Sequence, residues 1–312
     1  MAKLMRKMLL LAKIESPAGT DSVPTATNAM LVSGLTPELI TANYVERDNV
    51  KPYAGSSPKI ATGIHREVTF SVEIAGAGTA GGTPAWDCLL RACAFQASTP
   101  GGSPGEKHYT PRDPDTSETI TIYEYLDGIR WKMTGCIGTV SLNFTSGGIP
   151  KFTFKFVGEY EAGADISLPT GVTYSTFVAP VAVGKVWTPT FQIHGVSSCM
   201  DSLSIDMGNN AIYRDLVGCG GPAITDRKSV GTAVFELPSV ATKAWDEVIK
   251  NSTAGALNFV HGRTAGNIVQ IECPAVTCDS ASLQDKDGVA MLSLGLALIP
   301  VSGNDEIVIT CS

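Results

Sequence analysis

One stretch of this chain occurs twice with its parts in the same order. The first use runs from Glu46-Arg47-Asp48 through Val68-Thr69-Phe70-Ser71-Val72-Glu73-Ile74 to Thr83-Pro84-Ala85-Trp86-Asp87. The second runs from Tyr213-Arg214-Asp215 through Ala233-Val234-Phe235-Glu236-Leu237 to Thr242-Lys243-Ala244-Trp245-Asp246. The spacing between copies drifts from one motif to the next, as it does when loops change length and elements do not. The reading is an internal duplication. It divides the chain into an N-terminal arm (1–27), a first domain (28–160), a linker (161–185) and a second domain (186–312).

A chain of 312 residues is long enough for two domains, each with its own core. The 32 glycines and 18 prolines, a charged fraction of only 17% and scarce helical periodicity predict a mainly β architecture with many turns. The net charge of −7 argues against a protein that grips nucleic acid by neutralising phosphates.

At the N-terminus, Met8-Leu9-Leu10-Leu11-Ala12 follows a basic start, but Lys13 cuts the apolar run short of a signal peptide. No segment approaches the ~20 apolar residues of a membrane span, so no membrane partner is expected. The eight cysteines contain no Cys-x-x-Cys pair and read as reduced, small hydrophobic residues. Glu15 to Ala26, rich in Ser, Pro, Gly and Thr, reads as an arm lying on a surface or on a neighbour.

Alternation from Glu67 to Ile74 marks a half-buried strand. Gly76-Ala77-Gly78-Thr79-Ala80-Gly81 fits the dinucleotide-binding glycine pattern. That site needs its glycines at the mouth of a helix. Here the helix is expected only afterwards, with Thr83 as N-cap and Pro84 at the first helical position. The strand before it also alternates, where a buried parallel strand would be continuously apolar. The glycines therefore read as a flexible loop, and no cofactor is expected.

Trp86, Leu89 and Leu90 form one apolar stripe, and Trp245, Val248 and Ile249 form its counterpart, capped by Thr242. Each helix is read as sealing a core. Asp127-Gly128 and Asp287-Gly288 are two-residue hairpin signals. Phe152, Phe154 and Phe156 correspond to Leu292, Leu294 and Leu296, and Glu306 to Thr310 reads as an edge strand.

Catalytic and metal-binding constellations are missing. His65, His108, His194 and His261 stand apart and read as surface or turn residues. There is no G-x-S-x-G elbow, H-E-x-x-H or P-loop, and Leu283 and Leu294 occupy the ligand positions that a calcium loop around Asp287 would need. No enzyme is expected. The long Tyr44–Lys59 loop, with Glu46, Arg47, Asp48 and Lys51, and the repeated pair Arg214 and Asp215 are the candidate contact residues.

Several motifs together resemble the major tail tube proteins of long-tailed bacteriophages with non-contractile tails. They include Leu10-Leu11-Ala12-Lys13-Ile14-Glu15, Gly19-Thr20-Asp21-Ser22-Val23-Pro24-Thr25, Val45-Glu46-Arg47-Asp48 and Leu89-Leu90-Arg91-Ala92-Cys93. Tyr213-Arg214-Asp215-Leu216-Val217, Ile224-Thr225-Asp226-Arg227-Lys228 and Val301-Ser302-Gly303-Asn304-Asp305-Glu306 extend the likeness over nearly the whole chain. The resemblance implies two tandem tube-type β-sandwich or barrel domains, each with one flanking helix. It implies rings of this chain stacked into a conduit for DNA, which passes without tight binding. A tape-measure protein in the lumen, with tail terminator and baseplate or tail-tip proteins at the ends, would be the partners. Two tube domains per chain would let three chains complete a pseudo-sixfold ring. The alternative is a non-polymerising β-sandwich binding module, an adhesin or carbohydrate-binding domain.

Overall fold

A computed structural model describes residues 3–101, 103 and 105–312. Strands take 51% of the chain against 6% in helices, so β pairing decides the fold. The first half supplies β1 (Met8–Ile14), β2 (Ala29–Met30), β3 (Val32–Pro37), β4 (Thr41–Glu46), β5 (Lys59–Glu73), α1 (Asp87–Arg91) and β6 (Phe95–Ser98). It continues with β7 (Lys107–Pro111), β8 (Ile120–Leu126), β9 (Ile129–Thr145) and β10 (Lys151–Tyr160). The second half supplies β11 (Thr190–Ile193), β12 (Val196–Ser197), β13 (Met200–Asp206), β14 (Asn209–Leu216), β15 (Cys219–Arg227) and β16 (Val230–Glu236). After these come α2 (Trp245–Lys250), β17 (Gly255–His261), β18 (Val269–Lys286), β19 (Val289–Leu298) and β20 (Val308–Cys311).

Both Asp-Gly hairpins form where the sequence places them. Asp127 and Gly128 have φ of 39° and 90°, and Asp287 and Gly288 have 54° and 81°. Positive φ at both central residues gives the turn a twist that matches the flanking strands.

The two halves repeat one strand order. β3, β5, β10 and the C-terminal part of β9 lie side by side, and so do β13, β16, β19 and the C-terminal part of β18. The registers also agree. Phe152 faces Val72, which faces Val32; Leu292 faces Phe235, which faces Met200. Phe154 sits between Phe70 and Val140, and Leu294 between Ala233 and Ala281.

Pairing of β9 with β13, Phe144 opposite Leu203 and Leu142 opposite Ile205, fuses the two sets into one eight-strand surface. Phe144 also packs on Phe259 at 4.6 Å between centroids, so one core runs through both halves. β20 is not the edge strand expected from the sequence. It lies between β18 and β7, because Ile309 and Cys311 are buried and need cover on both sides.

Met8–Ile14 also departs from the arm read over residues 1–27. It pairs with β8 along its whole length. Its apolar run is continuous because both faces are covered: Leu10 and Ala12 enter the main core, while Leu9 and Leu11 pack with Tyr123, Tyr125 and the linker residues Ile166, Leu168 and Val172. The buried Glu15 carboxylate then fastens the following turn. It accepts from the N–H of Gly19 and Gly135 and from the hydroxyls of Thr119 and Thr121.

Both helices are short and start later than their expected caps. The helical N-caps are Trp86 and Ala244, with no side-chain cap bond. Residues 84–87 first make a turn through Asp87 N–H to the Pro84 carbonyl, and the Thr242 hydroxyl is engaged with Ser239 at 2.8 Å. The apolar stripes nonetheless seal cores as read. Trp86 packs tilted on Tyr109 and edge-to-face on Phe152, Trp245 edge-to-face on Phe235, and Leu89, Leu90 and Val248 are buried while Ile249 packs partly buried against the same core.

Candidate assembly surfaces

Two hairpins carry the candidate contact residues. The first is made by β4 and the N-terminal part of β5, paired from Thr41 opposite His65 to Glu46 opposite Lys59. Residues 47–58 close it as a loop without regular structure, as Pro52, Gly55 and Pro58 dictate. The second is made by β14 and β15, closed after Leu216 opposite Cys219 with Gly218 at positive φ. Each hairpin lies between two strands of the eight-strand surface, β3 and the rest of β5 in one half, β13 and β16 in the other.

The hairpins touch each other. Asp215 Oδ2 accepts from the Gly63 N–H at 2.7 Å, and Tyr213 stacks on His65 with ring centroids 5.0 Å apart. The Tyr213 hydroxyl donates to Glu159 at 2.9 Å. Burial pushes its pKa up to about 12, with the Glu159 carboxylate adding to the rise. Gly63 has φ +58°, a backbone conformation that favours glycine, while a Cβ there would meet Asp215 Oδ2 at an ordinary contact distance of 3.6 Å. The base of the second hairpin is held by Arg227, which pairs with Glu306 and donates to the Arg112 carbonyl and Asn304. Asn209 bonds the carbonyls of Cys93 and Gly138.

Above these anchored bases the hairpins expose apolar side chains, among charged ones on the first. Tyr44, Val45, Val50, Tyr53 and Ile60 are exposed on the first, and Ile212, Leu216 and Val217 on the second. Clusters of exposed apolar residues on one element mark contact sites. Of the predicted residues, Glu46 pairs with Lys59 at 3.1 Å, both largely exposed, a contact contributing ~0–1 kcal/mol. Lys51 lies 5.9 Å from the Tyr53 ring. Arg47 and Asp48 sit exposed in the loop, whereas Arg214 and Asp215 sit within a strand. The two Arg-Asp pairs thus occupy different local settings, and Asp215 is already engaged inside the chain.

The glycine motif has a different task from a flexible loop. Gly78 N–H donates to the Gly266 carbonyl at 2.8 Å and Gly76 N–H to Asn267 at 2.9 Å. A Cβ on Gly76 would stand 2.2 Å from the Gly266 oxygen. The glycines therefore let a first-half loop dock on the loop between β17 and β18.

A buried ion pair escaped the sequence reading. Arg66 and Glu124, 0% and 1% exposed at the side chain, approach to 3.2 Å, and Arg66 also donates twice to the Glu38 carbonyl at the root of the first hairpin. Burial raises the Glu124 carboxyl to about 7 despite Arg66 beside it. The signal was present: Arg66 shares strand parity with Val68, Phe70 and Val72, which face the core. His261 likewise is buried in β17 and not on a turn, its ring nitrogens on the Val181 carbonyl and Thr188.

Among the described residues no three His, Cys, Asp or Glu side chains gather to hold a metal, and no helix is long and apolar enough to cross a membrane. All eight cysteines are free thiols. Burial raises those of Cys93 and Cys136 well above the ordinary range, which leaves them unreactive. A family model described as phage tail tube protein matches residues 6–312. No curated protein matches the chain.

Proposed function

The chain belongs to the phage tail tube protein family, a structural family of the virion tail, and we propose that it polymerises into stacked rings that form the tube of a long, non-contractile tail. The observation that carries this reading is the family match over almost the whole length, 6–312. The two anchored hairpins support it, because beyond their mutual contact and their packed bases they leave Tyr44, Val45, Val50, Tyr53, Leu216 and Val217 exposed. We assign the first hairpin, with Glu46, Arg47, Asp48 and Lys51, to the axial contact between rings.

The recurrent strand order supports an internal duplication, with two tube domains per chain. Three chains would then close a pseudo-sixfold ring through heterologous contacts, and the axial set would stack the rings. Assembly takes place in the bacterial cytoplasm, around a tape-measure protein that later leaves the lumen to DNA. Tail terminator and baseplate or tail-tip proteins bind the two ends. With a net charge of −7, DNA phosphates find few cations to replace their counterions, so the genome slides through during ejection.

Cryo-electron microscopy of the purified protein tests the reading. Tubes of stacked rings with three copies per ring are expected. Six copies per ring would sink the trimer, and compact monomers at high concentration would sink polymerisation itself. Deleting Glu46–Lys59 is expected to leave folded chains that form rings without stacking; tubes of ordinary length from that variant would move the axial contact elsewhere.

A further inference from the structure

β1, β2 and β8 of the first half recur as β11, β12 and β17 in the second. Leu11 faces Ala29 and Tyr123 as Gln192 faces Ser197 and Asn258. Ala29 stands three residues before Val32 and Ser197 three before Met200, and these face Val72 and Phe235 in the common register. Just ahead of β1, the Lys7 carbonyl accepts from the Asp127 N–H; just ahead of β11, the Trp187 carbonyl accepts from the Gly262 N–H. Residues 3–7 and 184–188 are therefore equivalent segments, each resting on the turn after its neighbouring strand, β8 or β17.

The two segments are held differently. In the first half Asp127 closes the contact. Its carboxylate accepts from the Leu4 N–H at 2.9 Å and from Lys7 Nζ at 3.3 Å, while Lys3 Nζ donates to its carbonyl at 2.9 Å. In the second half the turn presents Gly262 and Arg263 and no carboxylate. A cleft of about 650 Å³ opens there, bounded by the segment, the β9–β10 turn at Ser146 and residues 197–200. Its size is that of a small-ligand site, ~300–1,000 Å³. The floor is apolar: Val183 and Phe191 are buried, and Met200 packs against the main core. Lys185 and Arg263 supply the charge. Among the described residues no acidic side chain lines the cleft, and neither cation has an ion-pair or hydrogen-bond partner. In a chain with 30 acidic residues against 23 Lys and Arg, such a cleft selects for an anion.

We propose that this cleft binds a carboxylate carried on a short apolar group, with the carboxylate held by Lys185 and Arg263 and the apolar part laid over Phe191 and Met200. Asp127 shows the chemistry within the same molecule. The first half supplies its own carboxylate to the segment ahead of β1, and the second half leaves that position to a ligand. The arginine guanidinium can meet both carboxylate oxygens at once, while the lysine adds a point charge. The apolar floor then separates a carboxylate with a hydrocarbon body from a bare inorganic anion, because burial of that body adds to the attraction. Two sources share this chemistry, a free medium-chain carboxylate and the C-terminus of an apolar peptide. The site stands apart from the ring reading, which neither requires nor supplies it.

The thiols provide a local readout. Cys199 is exposed and lines the cleft, whereas the other exposed thiol, Cys219, lies on the second hairpin and serves as the control. Alkylation of the full chain by iodoacetamide is followed at both cysteines by peptide mass spectrometry. Octanoate is expected to slow alkylation of Cys199 and leave Cys219 unchanged. Octanol, a tail of the same length without the charge, is expected to need about tenfold or more the concentration for the same protection. A Lys185→Ala, Arg263→Ala variant, which changes two exposed residues, is expected to raise the half-protecting octanoate concentration by about tenfold or more. N-acetyl-leucyl-leucine protecting at lower concentration than octanoate, with its amide inactive, would assign the site to a peptide terminus; the reverse order would assign it to a free carboxylate. Equal protection by octanoate and octanol, protection that survives the double substitution, or a Cys199 that no probe protects would overturn the site.

Discussion

The two halves share a pairing frame and fill it with different side chains. The first half packs Phe70, Phe152, Phe154 and Phe156 around Trp86; the second packs Ala233, Leu292, Leu294 and Leu296 near Trp245. Gly231 faces Leu296 where Val68 faces Phe156. The first half also buries the Arg66–Glu124 pair. Main-chain register is thus held in common while core volume is distributed differently. A β frame tolerates this because pairing is decided by backbone groups and strand parity, and hydrophobic volume can be traded between neighbours.

The strongest challenge to this comparison is removal of the two tryptophans. Trp86 donates its indole N–H to the Ala75 carbonyl at 2.9 Å and is fully packed, whereas the Trp245 indole nitrogen has no partner among the described residues. Trp86→Ala is expected to cost about 3–5 kcal/mol, and Trp245→Ala clearly less, measured by urea unfolding. Equal losses would show that the halves depend on their sealing helices alike.

Next in size is a pH effect confined to the first half. Glu124 titrates at about 7 in the folded chain against an ordinary value of 4.5. Between those values the folded chain keeps a proton that the unfolded chain has released. The contribution of this group is therefore most favourable below about 4.5 and declines as pH rises to about 7, by on the order of 3 kcal/mol. Glu124→Gln is expected to flatten that part of the stability–pH curve; an unchanged slope would mean that Arg66 keeps the carboxylate ionised.

Exchanging fillings gives a smaller effect. Phe154→Leu, which copies Leu294, is expected to cost about 1–2 kcal/mol, and Leu294→Phe about 1–3 kcal/mol through overpacking. Denaturation midpoints of the single and paired variants would show whether volume can move between the copies.

The smallest expected effect lies where the hairpins meet. Asp215→Ala removes the acceptor for the Gly63 N–H and should cost about 1 kcal/mol, with faster proteolytic cleavage in residues 47–58 as the readout.

Much of this protein follows from its sequence alone. Alternation located β5, β10 and β19, the Asp-Gly pairs fixed two turns, and the tryptophan stripes identified both sealing helices. These are local signals, carried by residues two to four positions apart. The recurrence of Trp86 at Trp245 also placed corresponding strands in both halves. The exposed loop with Arg47, Asp48 and Lys51 was legible from its prolines, glycine and charges, but the loop read over Tyr44–Lys59 was too long: Tyr44–Glu46 pair in β4 and Lys59 opens β5.

Other features depend on partners distant in sequence, and only the tertiary structure decided them. The apolar run Leu9–Ala12 became a strand because Tyr123, Tyr125 and the linker covered its second face. The run Ile307–Cys311 became an interior strand because β7 and β18 both needed an edge filled. Asp215 was drawn to Gly63 and the glycine motif to Gly266, contacts that no local pattern announces. A strand's parity is written in its own residues, but its neighbours are chosen by whichever unpaired edges and uncovered faces the rest of the chain leaves.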